Sequence, residues 1–305
     1  MRLQQLLDQA DAHGLKSLTR SELREVSLLY RQTAADLSTL RQDSSGGTYQ
    51  QFVHQLLRRA HNVVYAGEKP PRGAFIHFFT HEYPEVFQRN LPLIGATVAL
   101  FLAAAVLGTI LTLYDANFAV QIIGPKMMQT IERHEMWTHS ILSIKPAASS
   151  MIMTNNITVS FTMFAGGIAG GIGTVWLTFF NGLLIGVIGS TCWLNGMSLQ
   201  LWSFVAPHGV LELPAIFIAA SAGLRLAQGV LFPGLRSRRA SIALSGADAI
   251  KLLLGTIPML IIAGIVEAFV SPGPLPPATK FTVAAALFVL LCAYLFSPRF
   301  RDRPS

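Results

Sequence analysis

Residues 91–113 read LPLIGATVALFLAAAVLGTILTL, a run that contains no Lys, Arg, Asp or Glu. At a helical rise of 1.5 Å per residue such a stretch covers the roughly 30 Å of a bilayer's hydrocarbon, so it reads as a transmembrane helix. Five further apolar runs follow, at 156–174, 176–195, 207–231, 248–270 and 279–297. The fold class that this pattern predicts is all-α: a polytopic transmembrane bundle of about six spans over residues 91–297. Composition agrees, since 51% of the 305 residues are hydrophobic and only 13% charged, with a mean hydropathy of +0.47. That balance excludes an ordinary soluble enzyme and makes the bilayer the natural solvent. No polar loop separates the second and third runs. Their turn is therefore expected between Gly170 and Gly182, with a reentrant pair of half-helices as the alternative.

The charge is spread unevenly. Of 23 Lys and Arg, 11 precede residue 91, five lie from Arg225 to Lys251, and Arg299, Arg301 and Arg303 fall in a basic tail at 298–305. Only Lys126, Arg133, Lys145 and Lys280 remain on the other side of a six-span topology, which predicts cytoplasmic N- and C-termini in a bacterial cytoplasmic (inner) membrane. The basic patches read as membrane-surface contacts, and no nucleic-acid partner is expected. Cys192 and Cys292 both sit in apolar runs, outside any disulfide or zinc-knuckle spacing. The first 30 residues lack an apolar core, so no cleavable signal peptide is expected.

Residues 1–69 read as a cytoplasmic helical region. Thr19 and Glu22 make a capping box, followed by the seam Leu23, Val26, Tyr30, Thr33, Leu37 and Leu40 at steps of three and four. After the polar run 42–47, a second helix carries Tyr49, Phe52, Val53, Leu56, Ala60 and Val63 on one face, which predicts a helical hairpin. Residues 70–90, rich in Phe and Tyr with Arg72 and Arg89 near the ends, read as an amphipathic elbow lying in the headgroup plane. The outer loop 114–155 carries a candidate surface helix over 127–142.

Ionisable groups within hydrocarbon cost several kcal/mol unless paired or hydrated, which makes each a functional candidate. His208 and Glu212 are four apart, hence stacked on one helix face near the outer start of the fourth span. Glu267 lies at matching depth in the fifth span, and Asn155 and Asn156 begin the second. Together these five form the candidate polar or ion site. Pro207 suits a first helical turn, whereas Pro214 removes the hydrogen bond of the Val210 carbonyl. Kinks are expected there and at Pro258. On the inner side, Arg225 is expected either to pair with Asp248 or to reach lipid phosphates. Gly166, Gly167, Gly170, Gly171, Gly173, Gly182 and Gly186 provide small faces for close helix packing, within one chain or across a homodimer. One His and two Glu are a legitimate metal-ligand set, yet no HExxH spacing accompanies them; no metal or cofactor is assigned.

The run from Asn155-Asn156 through Ala165-Gly166-Gly167-Ile168-Ala169-Gly170-Gly171-Ile172-Gly173-Thr174 to Asn181-Gly182-Leu183-Leu184-Ile185-Gly186 resembles the core of the stage II sporulation protein M (SpoIIM) family. So do His208-Gly209-Val210-Leu211-Glu212-Leu213-Pro214-Ala215-Ile216, Ala222-Gly223-Leu224-Arg225-Leu226-Ala227 and Ile265-Val266-Glu267-Ala268-Phe269. The resemblance spans roughly residues 70–297. It implies a multi-pass membrane protein without enzymatic activity, whose namesake acts as a scaffold for peptidoglycan-degrading proteins. Longer relatives, often encoded beside RDD-family membrane proteins and MoxR-type ATPases, suggest those as partners in an envelope-associated complex. The N-terminal helical region departs from the shorter namesake.

Three functions are therefore expected in competition. The first is a scaffold or assembly factor. The second is a transporter or channel for an ion, proton or small polar solute using His208, Glu212 and Glu267. The third is an intramembrane metal-dependent hydrolase with Glu212 as general base, which lacks a complete catalytic constellation.

Overall fold

A computed structural model describes residues 2–14, 17–40, 47–65, 73–135 and 145–297. The described residues are helices and their connections, and the chain divides into two compact units, 1–75 and 76–305.

The first unit has three helices, α1 (Arg2–His13), α2 (Arg20–Leu40) and α3 (Gly47–Tyr65). Thr19 and Glu22 close the expected capping box: the Glu22 amide donates to Thr19 Oγ1 at 3.2 Å and the Thr19 amide to Glu22 Oε2 at 2.8 Å. The expected two-helix hairpin is thereby enlarged. Leu3, Leu6, Leu7 and Ala10 of α1 are buried together with Leu18, Val26, Leu56 and Ala60, so α1 caps the apolar face that α2 and α3 would otherwise leave wet. Arg59 of α3 fastens it by ion pairs to Asp8 and Asp11.

The division falls within α4 (Ala74–His77), and the helical segment continues in the second unit as a π-helical turn at Phe78–Glu82 and α5 (Tyr83–Arg89). Its amphipathic composition shows as one buried and one exposed face. Tyr83, Pro84, Val86 and Phe87 are buried, and Tyr83 covers Gly255, where any side chain would run into its ring. The Tyr294 hydroxyl donates to the Phe79 carbonyl at 2.6 Å, and Gln88 Nε2 donates to the Leu295 carbonyl at 2.9 Å. The elbow is thus locked onto the last helix.

There follow α6 (Leu91–Tyr114), the short α7 (Ala116–Ile123) and α8 (Pro125–Glu132), then α9 (Lys145–Ala165), α10 (Ile172–Leu194), α11 (Ser198–Leu231), α12 (Arg238–Phe269) and α13 (Pro277–Leu295). Five of them, α6, α10, α11, α12 and α13, are long and apolar enough to cross a membrane. Their apolar side chains also face outward: Leu102, Val106 and Ile110 of α6 are 55–58% exposed and Val289 of α13 is 64% exposed. In water that would be a liability; in lipid it is the solvated surface. The protein is a multi-pass, all-α membrane protein.

Several boundaries move. The expected second span ends at Ala165 rather than 174, and the reversal occupies residues 166–171, meeting the expected window of Gly170 to Gly182 at its first two residues. Gly170 and Gly171 take φ of +68° and +84°, backbone that glycine adopts without penalty. Thr174 Oγ1 then donates to the Met163 carbonyl at 2.6 Å, clasping α10 to α9. Starting at Lys145, α9 carries Asn155 and Asn156 near its middle instead of at its outer end, and these two residues dilute its apolar character. It still packs against α10, α11 and α12. Helix α11 begins at Ser198, so Pro207 lies in its interior like Pro214, and the helix continues through both; α12 likewise runs through Pro258. In the expected outer surface helix, α8 ends at Glu132, and residues 136–142 lie outside the described residues, as does the tail at 298–305.

The glycines are used within the chain. A Cβ on Gly182 or Gly186 would meet the backbone of Phe101 or Ala105 on α6, and one on Gly108 would meet Leu183 on α10. Gly167 abuts the backbone of Gly223, and Gly166 and Gly173 press against each other across the turn. Since lipid tails are as apolar as leucine, such close backbone approach is what holds membrane helices together.

Candidate functional site

The longest helices, α11 and α12, form the most extensive interface in the bundle. Small residues on their facing sides, among them Ala215, Ala222, Ala249 and Ala263, are buried and let the two axes approach. Near the beginning of α11 and the end of α12 this seam holds His208, Glu212 and Glu267. Their potential ligand atoms all lie within 4.8 Å of one another. His208 and Glu212 share a face because they are one helical turn apart. Glu267 arrives from the other helix, with Oε1 at 4.0 Å from His208 Nε2. Both His208 and Glu267 are buried, at 5% and 9% exposure. All three residues line a cavity of about 380 Å³, whose apolar walls include Phe101, Ile188, Trp202, Phe204 and Val205 from α6, α10 and α11.

Two supporting residues carry no signal in the linear sequence. Ser271, just beyond α12, places its hydroxyl 2.9 Å from His208 Nδ1. The backbone carbonyl of Ser271 accepts from Lys280 Nζ at 2.6 Å, which ties α13 to the same corner. The Phe204 ring meets the His208 imidazole edge to face at 5.5 Å. The ring is thereby fixed from two sides, with Nε2 left toward the carboxylates. Glu267 Oε2 is buried and has no hydrogen-bond partner. Such an atom costs free energy unless something polar or cationic meets it.

Asn155 and Asn156 do not join this cluster. Asn155 is exposed and donates to Asn156 Oδ1 at 3.3 Å, and neither residue lines the cavity.

The second expected pair is present. Arg225 donates to Asp248 Oδ2 at 3.1 Å, and Arg89 of α5 donates to Oδ1 of the same carboxylate at 2.9 Å. Asp248 therefore joins α5, α11 and α12. Beside it, Lys251 pairs with Glu82 of the π-helical turn at 2.6 Å. The hydrogen bond from Lys251 holds the Glu82 carboxyl below the ordinary carboxylate range. Arg89 enters the sequence reading only as part of the elbow's composition; in the structure it anchors the elbow together with Glu82.

The motifs that carry the fold and the site sit inside one family match: the model of stage II sporulation protein M covers residues 97–272, more than half of the chain. The chain belongs to the SpoIIM family. A separate model, of a domain of unknown function (DUF8413), matches residues 1–66, the three-helix unit. Among curated proteins, the chain is similar to an uncharacterized protein of the archaeon Methanocaldococcus jannaschii, 33% identical over 123 residues that cover 40% of this chain and 69% of the relative. No solved structure matches the chain. His208, Glu212 and Glu267 all fall within the family match, so the converged cluster belongs to the membrane domain and not to the N-terminal addition.

Proposed function

We propose that this SpoIIM-family protein binds a cation inside its membrane bundle and moves it across the bilayer. The observation that carries the reading is the meeting of His208, Glu212 and Glu267, from two helices, at the wall of one cavity. Two carboxylates this close repel each other when both are charged, so the arrangement favours a bound cation or a shared proton. Polar side chains beside proline-interrupted helices are how membrane transporters build such sites: Pro214 leaves the Val210 carbonyl, two residues beyond His208, without its helical donor. The reading assigns no reaction and no catalytic residue. The distribution of Lys and Arg supports cytoplasmic termini and an inner-membrane location.

The test is flux. Purified protein in liposomes under a proton gradient or a divalent-cation gradient should show transport, and Glu212→Gln and Glu267→Gln should abolish it at unchanged expression. Absence of flux in the unsubstituted protein under every gradient refutes the proposal.

A scaffold reading has its own support in the separately folded unit over 1–66, which presents a finished three-helix core and matches a domain family of its own. In that reading, deletion of 1–66 abolishes co-purification of membrane or envelope partners while the bundle remains folded. Co-purification unchanged by the deletion removes its support.

A further inference from the structure

We infer that His208, Glu212 and Glu267 form a site for a divalent transition-metal cation of the zinc type, with the cavity supplying its remaining coordination position. The inference rests on the cation-site reading above and names the ion.

The geometry supports this on four counts. First, the 4.0 Å between His208 Nε2 and Glu267 Oε1 is too long for a hydrogen bond. Tetrahedral ligands at 2.0–2.1 Å from one ion lie about 3.4 Å apart, so a bound ion draws these two atoms together by about 0.6 Å. Second, the histidine is already oriented as a ligand. Nδ1 lies 2.9 Å from Ser271 Oγ, a contact in which either atom can be the donor; the tautomer with the proton on Nδ1 presents the Nε2 lone pair to an ion. An outer hydrogen bond of this kind accompanies almost every metal-bound histidine. Third, Glu267 Oε2 is buried without any partner, an acceptor with unused capacity at the cluster. Fourth, the donor set discriminates. Imidazole nitrogen suits zinc and its first-row neighbours, whereas sodium, magnesium and calcium sites are built from oxygen. Three protein ligands beside a cavity leave a position open for water or for an exchanging ligand, as in exchangeable zinc sites rather than closed structural ones.

The His208–Ser271 hydrogen bond makes Ser271 a positioning residue. Its hydroxyl fixes the ring without touching the ion, and Lys280 holds the Ser271 backbone in place from α13. Ser271→Ala should therefore weaken metal affinity by about 10- to 100-fold without abolishing the site.

The experiment uses the full chain in detergent, stripped with a chelator, loaded with Zn²⁺ and desalted, with metal measured by mass spectrometry. Parallel Co²⁺ loading reports coordination geometry through its visible absorption. The expected result is about one zinc per chain, together with a cobalt spectrum that disappears in Glu212→Gln and Glu267→Gln, variants of unchanged size and shape. Glu85→Gln, on the exposed face of α5, should retain both. His208→Ala should also lose the metal while eluting as a folded species. Absence of stoichiometric metal in the unsubstituted chain, or metal retained in the Glu212→Gln/Glu267→Gln double variant, overturns the inference. Flux of protons without metal binding overturns this inference and leaves the transport reading standing. Stoichiometric metal without flux of any ion does the reverse.

Discussion

Gly186→Ala is a one-methyl change that the bundle has no room for. A Cβ at that position would lie 2.8 Å from the carbonyl carbon of Ala105 and 2.9 Å from its Cα, and closer still to its oxygen. Carbon atoms in contact rest at about 3.5 Å or more, so the carbon contacts alone require α6 and α10 to separate by about 0.7 Å at this point, and the oxygen requires more. A gap of that size forfeits between a quarter and a half of each dispersion contact along the seam. It also stretches the 3.3 Å hydrogen bond from Thr109 Oγ1 to the Gly186 carbonyl. The seam is backbone on backbone, with no flexible side chain to yield, so the cost lies at the upper end of overpacking penalties, about 2–3 kcal/mol. The assay is SDS-induced unfolding in mixed micelles followed by tryptophan fluorescence, with two internal controls. Gly95 of the partner helix α6 has open space around it, and Gly95→Ala should be neutral or mildly stabilising. Gly189, which would touch only a ring carbon of Trp202 at 3.4 Å, should tolerate alanine at well below half the cost of Gly186→Ala. Gly186→Ala unfolding at the same midpoint as Gly95→Ala would refute the reasoning that backbone contact between α6 and α10 holds the membrane domain together.

Two further predictions concern the polar anchors of the elbow. Asp248→Asn weakens both of the Arg hydrogen bonds at once and leaves Arg225 half-buried without a counter-charge, which should destabilise the bundle by about 1–3 kcal/mol in the same unfolding assay; a change below 0.5 kcal/mol would show that both guanidinium groups find equal partners in water or lipid. Glu82 has its carboxyl lowered by Lys251, so its contribution is fully present above the ordinary carboxylate range and is lost as pH falls through the lowered folded-state value. The midpoint difference between the unsubstituted chain and Glu82→Gln should accordingly be present at pH 7 and shrink steadily on acidification. A difference that does not change with pH would mean that Glu82 acts through packing and not through charge.

What could be read in advance follows from how local each signal is. The run 91–113 is apolar all round, and its length alone assigns a membrane helix. The Thr19–Glu22 capping box is complete within four residues. Helix α1 shows Leu3, Leu6, Leu7 and Ala10 at helical spacing, but its role as a lid over α2 and α3 depends on contacts more than ten residues distant. The turn at 166–171 is harder because glycine serves both reversal and close packing, and only the backbone angles at Gly170 and Gly171 separate the two uses. Pro207 misleads for a related reason: proline marks a helix start in soluble proteins, whereas a membrane helix packed by neighbours continues through it. At the site, the His208–Glu212 spacing is visible as one helical turn. The arrival of Glu267 is not, since depth matching between helices leaves their rotation undetermined. Ser271 and Lys280 lie in and after a short connection with no periodicity, and nothing local marks them as supports for His208. The Arg225–Asp248 pair is legible because both residues are charged and lie on consecutive helices, whereas the part of Arg89 in it depends on how the elbow packs, which no local pattern shows.

From Pro146 to Leu211 the chain contains no Lys, Arg, Asp or Glu. The reversal at 166–171 falls within this stretch, so the hairpin of α9 and α10 enters the membrane with an uncharged tip. Charge bias, the cue by which an inserting helix is ordinarily oriented, is silent there. What seats the hairpin is contact with its neighbours: α6 receives α10 along Gly182 and Gly186, and Gly223 of α11 receives the tip at Gly167. An alanine at Gly167 therefore threatens where the uncharged tip comes to rest, along with how tightly it packs.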